Sequence, residues 1–274
     1  MSVTATHNVR GADVQVLDVA VHFGDFVACE NITLDVHRGE MLALIGPSGC
    51  GKSTLLSVMA GFMPADRGSV TVSGKPLTGP GPECGMVFQT TEALFPWLTV
   101  AQNIAFGPRM AGMSRRERTD LAHEYVEMVG LQGNEERYPS ELSGGMRQRV
   151  QLARVLVNEP PLVLMDEPFG ALDAQTRGLM QTELSRIWDA SGASVVMVTH
   201  DLREAILLAD RVAMMTHGPA ASIREVHDVP LDRPRDDTDE AFLDLYRRLR
   251  ADLSEEVLAS LNRDLPPLTP QATA

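Results

Sequence analysis

The segment Gly46-Pro47-Ser48-Gly49-Cys50-Gly51-Lys52-Ser53-Thr54 constrains this chain more than any other stretch. An apolar run, Met41 to Ile45, leads into it, and a second, Leu55 to Ala60, leads out. The pattern predicts a buried strand, a glycine-rich turn and a helix that ends near Gly61. Glycines let the backbone curl until successive N–H groups point inward, where they and the positive end of the helix hold phosphate oxygens. Lys52 supplies a point charge for the β- and γ-phosphates, and the Ser53 hydroxyl is placed to ligate Mg²⁺. A chain with this loop binds a nucleoside triphosphate, and the rest of the sequence decides what its hydrolysis drives.

Ahead of the loop, strands are expected over Val14 to Phe23 and Ala28 to Val36, with a turn at Gly24-Asp25. After it come a short alternating strand, Ser69 to Ser73, a turn-rich stretch from Gly74 to Gly85, and a strand over Met86 to Gln89. Capping boxes at Thr99 and Ser114 open helices, so residues from about 92 to 158 read as a helical insert between strands. Its last helix follows Leu142-Ser143-Gly144-Gly145-Met146 and runs to Val157. Two buried strands come next: one ends at Asp166-Glu167, the other at His200. Asp173 and Asp201 cap the helices that follow them, and strands are expected at Arg211 to Thr216 and Ser222 to His227. This alternation predicts a doubly wound α/β core over residues 13–227. Residues 228–240 read as a Pro- and Asp-rich linker, 241–262 as a helical extension with a second helix near Leu253 to Leu261, and 263–274 as a disordered tail.

Hydrolysis of a triphosphate needs a metal, a positioned water and donors for the developing charge. Asp166, at the end of a buried strand, suits a direct or indirect Mg²⁺ contact. Glu167 is placed to orient or deprotonate the attacking water. His200 ends the neighbouring strand, so its ring emerges on the same sheet edge within reach of a γ-phosphate. Phe23 either stacks on an adenine ring or packs in the core. Ser143-Gly144-Gly145 begins a helix and is a second anion-binding N-terminus without a lysine. Two phosphate sites on one chain invite a head-to-tail pair, each ATP held between one chain's Lys52 loop and the other's Ser143–Gly145.

A net charge of −13 argues against a protein that coats nucleic acid. The three cysteines, Cys29, Cys50 and Cys84, form no C-x-x-C pair, so neither a disulfide framework nor a zinc site is expected. No apolar run approaches bilayer length and residues Met1 to Gly11 lack an apolar core, so neither a membrane span nor a signal peptide is expected. A role at a membrane would require another polypeptide to hold this one there.

Leu142-Ser-Gly-Gly-Met, with the phosphate loop and the Asp166-Glu167 strand, resembles the signature set of ATP-binding-cassette ATPases over about Val14 to Val226. The resemblance implies an α/β fold: a P-loop NTPase core with an antiparallel β subdomain and an inserted α-helical subdomain. It implies that Phe23 stacks on adenine and that Gln89 contacts Mg²⁺ and senses the partner. It also implies that Asp166 organises Mg²⁺, Glu167 is catalytic, His200 is a switch residue, and Ala171-Leu172-Asp173 crosses a dimer interface. Leu94-Phe-Pro-Trp-Leu-Thr-Val-Ala-Gln-Asn103, Pro168 to Arg177 and Val229-Pro-Leu-Asp-Arg-Pro-Arg235 are similar to ATPase subunits of bacterial nitrate, sulfonate and taurine importers. That likeness implies a second copy of the chain, integral-membrane permease subunits and, indirectly, an extracytoplasmic solute-binding protein as partners. It implies a place on the cytoplasmic face of the membrane. Leu94, Phe95, Trp97 and Leu98 then serve either to dock on the permease or to fill the subdomain core. An exporter or lipid-extraction ATPase is the alternative; a nucleic-acid-associated cassette fits less well, because no coiled-coil insert, zinc module or tandem cassette is present.

Overall fold

The computed structural model describes residues 12–88, 93–170 and 172–264. The chain opens with a long hairpin, β1 (Ala12–Phe23) and β2 (Phe26–His37), closed by the Phe23–Phe26 pair. β3 (Met41–Ile45) then delivers the chain to the phosphate loop and α1 (Lys52–Met59). β4 (Arg67–Val72) and β5 (Lys75–Pro76) return to the hairpin and complete an antiparallel sheet of order β2-β1-β4-β5. After β6 (Cys84–Val87) come four helices, α2 (Val100–Ile104), α3 (Phe106–Met110), α4 (Arg115–Met128) and α5 (Gly144–Leu156). β7 (Leu162–Asp166), α6 (Ala174–Ser191), β8 (Ser194–Val198), α7 (Leu202–Leu208), β9 (Arg211–Met215) and β10 (Ile223–Asp228) finish the core, and α8 (Glu240–Asp264) follows.

The larger sheet has the order β10-β9-β3-β8-β7-β6; β10 is antiparallel to β9 and the other pairings are parallel. Every residue of β3 and β8 is buried, as expected of strands covered on both faces. Side chains alternate between two cores. Met41, Ala43, Ile45, Val195 and Met197 face the helical side with α5, α6 and α7, whereas Leu42, Leu44, Val196 and Val198 pack with α1 and the antiparallel sheet. Each Val, Leu, Ile and Met among them contributes roughly 1.5–3 kcal/mol. This burial fixes the register that places the ends of β3, β7 and β8 together.

Three segments depart from the sequence reading. The strand expected over Met86 to Gln89 runs instead from Cys84 to Val87, paired in register from Cys84–Leu162 to Val87–Met165. Gly85 fits there because α5 and its exit lie against it: a Cβ would stand 2.3 Å from Val155 Cγ1 and 3.1 Å from Pro160 Cγ. The end of the helical extension is continuous with its start, giving one helix over Glu240–Asp264, since no glycine or proline interrupts it.

The third concerns the segment expected to be a linker, which is pinned to the core. Arg235 donates to the carbonyls of Ile206 (2.7 Å), Ala209 (2.6 Å), Leu231 (2.9 Å) and Val229 (3.3 Å), capping the C-terminal end of α7. Arg233 reaches Leu208 O at 2.6 Å and Asp210 at 2.7 Å, and its guanidinium lies over Trp188. Burial, with Arg233 beside it, lowers the Arg235 pKa to about 10, still far above any physiological pH. Arg235→Ala strands these carbonyls and is expected to cost about 2 kcal/mol, a fall of roughly 5 °C in Tm measured by circular dichroism. Arg235→Lys recovers only part of it, because an ammonium cannot span four carbonyls as the planar fork does.

Candidate active site

Across the centre of the large sheet, Leu44, Val198 and Asp166 stand in line, each paired with the next. The residues that follow them therefore emerge side by side at the carboxyl edge, the usual place for a ligand in a parallel sheet. β3 continues into Gly46, β7 into Glu167 and β8 into Thr199 and His200.

The phosphate loop folds as its glycines require. Gly49 and Gly51 take φ of 76° and 95°, the left-handed region that β-carbon-bearing residues avoid. A Cβ on Gly51 would come within 3.3 Å of the Ala28 carbonyl oxygen, so β2 closes on the loop from outside. Lys52 is buried, and its Nζ donates to the Gly46 and Pro47 carbonyls at 2.9 and 2.8 Å. Its ammonium is thus held inside the ring of the loop, facing the N-terminus of α1. Cys50 is fully buried at 3.7 Å from the same nitrogen, and burial pushes its thiol above the ordinary value. A thiol in that condition is a packing group and poorly nucleophilic.

Ser53 Oγ donates to Asp166 Oδ1 at 3.3 Å, bridging the loop to β7. Burial pushes the Asp166 carboxyl above the ordinary Asp value; the Ser53 hydrogen bond opposes this, and the Glu167 charge adds to it. Glu167 sits at φ 44°, a strained left-handed backbone for a side-chain-bearing residue, with its N–H donated to Val198 O at 2.9 Å. Strain of on the order of 1–3 kcal/mol persists only where neighbours enforce it, and it often marks a working site. Here it turns the carboxylate toward β8, where Glu167 Oε1 lies 3.2 Å from His200 Nδ1. The His200 side chain is two-thirds exposed (67%), so the ring is accessible to a ligand. Thr199 and Glu204, buried and hydrogen-bonded to each other, fix the turn beneath it.

Lys52, Ser53, Asp166, Glu167 and His200 are therefore brought to one sheet edge. Ser143, Gly144 and Gly145 are not. Ser143 caps α5 by accepting from Met146 N at 3.3 Å, and none of the three hydrogen-bonds to the phosphate loop. Asp173 belongs with them: it caps α6 through Gln175 and Thr176, and those bonds hold its carboxyl below the usual range. A Cβ on Gly145 would stand 3.2 Å from Thr176 Cγ2, so α5 and α6 meet at these two helix starts. Phe23 is half exposed at the hairpin tip beside Phe26, also exposed. Neither packs in the core. Gln89 and Ala171 lie outside the described residues.

A polar stripe on α5 was not visible as a motif. Gln148 is buried and donates to the Pro168 carbonyl, one residue past Glu167. Gln151 donates to Phe88 O at 3.3 Å, and Arg154 donates to Ala93 O while lying 4.1 Å above the Phe95 ring. The i, i+3, i+6 spacing puts all three on one face of the helix that Ser143 begins. That face joins Pro168, next to Glu167, to Phe88 and Ala93 on either side of the segment that carries Gln89.

The apolar loop divides. Leu94 is buried, Phe95 packs against Phe106 with centroids 4.5 Å apart, and Trp97 is 69% exposed. Asn103, fully buried, holds the loop open by donating to the carbonyls of Phe95 (3.1 Å), Leu98 (2.9 Å) and Thr99 (3.0 Å). Exposure of Trp97 is thus built in by a hydrogen-bonded core residue.

A phosphate loop with its lysine, an Asp-Glu strand end, a histidine on the next strand and a glycine-started helix in an insert together define an ATP-hydrolysing cassette. A family model described as ABC transporter matches residues 29–170. An ABC transporter ATP-binding protein of Methanocaldococcus jannaschii is 47% identical over 234 residues, covering 85% of this chain and 87% of that protein. The taurine import ATP-binding protein TauB of Escherichia coli is 47% identical over 206 residues, covering 75% and 80%. The chain belongs to the ABC transporter ATP-binding family and is an ATPase. An ATP-binding cassette solved as a dimer in a post-hydrolysis state with ADP and Pi superposes with a TM-score of 0.67 at 28% identity, over 80% of this chain and all of that one. The cbiO1 structure from Clostridium perfringens, part of the ABC transporter complex cbiONQ, shares the fold with a TM-score of 0.74 at 24% identity, over 93% and 96%.

Proposed function

We propose that this chain is the ATPase subunit of an importer for small anions of the nitrate, sulfonate and taurine type, working as a head-to-tail pair beneath a membrane permease. One observation carries the paired reading: the hydrolytic residues and Ser143–Gly145 occupy separate places on one chain, so a second copy is needed to complete each site. The likeness to taurine import proteins supports the importer assignment. Among the described residues no helix is long and apolar enough to cross a membrane, so in this reading the permease supplies attachment at the cytoplasmic face. An external solute-binding protein delivers the anion, and nucleic acid is not a partner.

In the closed pair, Lys52 and the loop amides hold the β- and γ-phosphates, and the partner's helix N-terminus faces the γ-phosphate from across the interface. Phe23 takes the adenine ring. Glu167 orients the attacking water and accepts its proton, and His200, held by Glu167, hydrogen-bonds the γ-phosphate. Ser53 and Asp166 present a hydroxyl and a carboxylate 3.3 Å apart, hard oxygen donors that fit Mg²⁺, with Gln89 as the third residue of the set. When bound, Mg²⁺ neutralises charge on the β- and γ-phosphate oxygens. Asp173 sits at the interface beside Ser143.

Trp97, with Phe95 stacked under it at 5.4 Å, forms the surface offered to the permease. Co-purification from membranes tests the assignment. Wild-type chain is expected to bring down a permease whose solute-binding protein binds a sulfonate or nitrate, while Trp97→Asp recovers about tenfold less permease with unchanged ATPase of the free subunit. Equal recovery would remove Trp97 from the interface, and a binding protein selective for another solute class would overturn the substrate assignment.

A further inference from the structure

The end of β9 and the segment that follows it form a wall against the phosphate loop. A Cβ on Gly46 would stand 3.0 Å from the Met215 carbonyl oxygen and 3.1 Å from Met215 Cβ. A Cβ on Gly218 would stand 3.4 Å from the Gly49 carbonyl oxygen and 3.7 Å from Cys50 Cα. Apart from Cys50 Sγ, which belongs to the loop itself, these contacts are to backbone or to the root of a side chain, so little slack is left to absorb a shift. Residues 215–218 therefore bound the space the loop can occupy.

Three sets of bonds hold the wall. Thr216 and Ser222 exchange hydrogen bonds at 2.9 Å, and the far end is tied to β2 by the Ala220 N–H on Val27 O at 2.7 Å and the Glu30 N–H on Ala221 O at 2.9 Å. The His217 end is held from α8. Glu256 accepts the His217 backbone N–H at 3.0 Å and lies 2.9 Å from His217 Nδ1, while its second oxygen accepts from Arg224 at 2.7 Å. Glu255 takes the other arm of Arg224 at 2.6 Å. Glu256 is nearly buried, and although burial pushes its carboxyl up, the His217 and Arg224 hydrogen bonds prevail and hold it below the ordinary value. The first half of α8 is itself fixed, with Phe242, Leu245 and Leu249 buried in the helical-side core. A rigid helix therefore reaches the tip of the wall through one carboxylate.

We propose that Glu256, acting through His217, is a positioning residue for ATP binding: it fixes the wall that shapes the Gly46–Lys52 loop. Loop amides must point at phosphate oxygens to within about half an ångström, so releasing the wall weakens nucleotide binding before it harms the fold. Once ATP is bound the phosphates themselves hold the loop, and turnover at saturation is little changed.

The test uses the full-length chain, with ATP affinity read by calorimetry, KM and kcat from phosphate release, and Tm without nucleotide. Glu256→Ala is expected to weaken ATP binding and raise KM about tenfold with kcat within about twofold. Glu256→Gln, which keeps an acceptor for the His217 N–H, is expected to recover affinity to within about threefold of wild type. Arg224→Ala cuts the neighbouring tie yet leaves His217 on Glu256; it lowers Tm without changing affinity. Unchanged affinity in Glu256→Ala, or affinity losses that follow Tm equally in Glu256→Ala and Arg224→Ala, overturns the proposal. Should Glu256→Ala not fold, His217→Ala carries the test, with an expected loss of about threefold and unchanged affinity as the overturning result. The readout is ATP affinity of the chain alone, so it stands or falls apart from the importer assignment.

Discussion

Glu167→Gln is expected to bind ATP with ordinary affinity and to hydrolyse it at least about 10³-fold more slowly than wild type. The carboxamide has the volume of the carboxylate, can still meet His200 Nδ1 where Glu167 Oε1 now lies at 3.2 Å, and inherits the same backbone at φ 44°. What it loses is the ability to take a proton from water. Because bound ATP is then not consumed, the variant is expected to accumulate as an ATP-dependent dimer on size-exclusion chromatography. His200→Ala separates the two residues' parts: it leaves the acceptor in place and is expected to cost less than Glu167→Gln in the same phosphate-release assay. Turnover of Glu167→Gln within about tenfold of wild type would place the proton acceptor elsewhere.

The parts of this site that could be read from sequence are those whose chemistry is local. Gly46 to Thr54 declares itself because a curled loop needs glycine at fixed spacing, and two of its glycines do take left-handed φ. Asp166-Glu167 and His200 stood out because charge follows an uninterrupted apolar run, and a parallel sheet carries such run-ends to one edge. The unread parts join elements far apart in sequence through single polar side chains. Gln148, Gln151 and Arg154 look like ordinary polar positions of an amphipathic helix until Pro168, Phe88 and Ala93 are brought to them. Arg235 sits in a Pro-rich stretch that reads as a linker because nothing local shows that the carbonyls at the end of α7 lie within its reach. Asn103 likewise decides that Trp97 faces outward, by bonds to carbonyls that pattern alone cannot place. Periodicity reports which face is apolar; it does not report which polar group will find which partner.

Ser143→Arg distinguishes a complete site on one chain from half a site on each of two. Within one chain Ser143 bonds to Met146 N, while Lys52 bonds to the loop carbonyls and Asp166 to Ser53, so ATP affinity of the variant is expected to stay within about twofold of wild type. In a head-to-tail pair, however, the long guanidinium enters the space where the partner's γ-phosphate must meet the α5 amides. Closure then fails, and hydrolysis is expected to fall at least about 10²-fold. The substitution also removes the Ser143 cap on Met146 N and places a cation at a helix N-terminus, which together cost about 1–2 kcal/mol. Ser143→Ala, which loses the cap without adding bulk, controls for that loss: it should lower Tm as well, yet still dimerise with ATP. Placed on the Glu167→Gln background and followed by sedimentation, Ser143→Arg should remain monomeric at ATP concentrations that saturate binding. An ATP-dependent dimer there would mean that Ser143 does not face the partner's nucleotide, and the reading of half a site on each chain would fall.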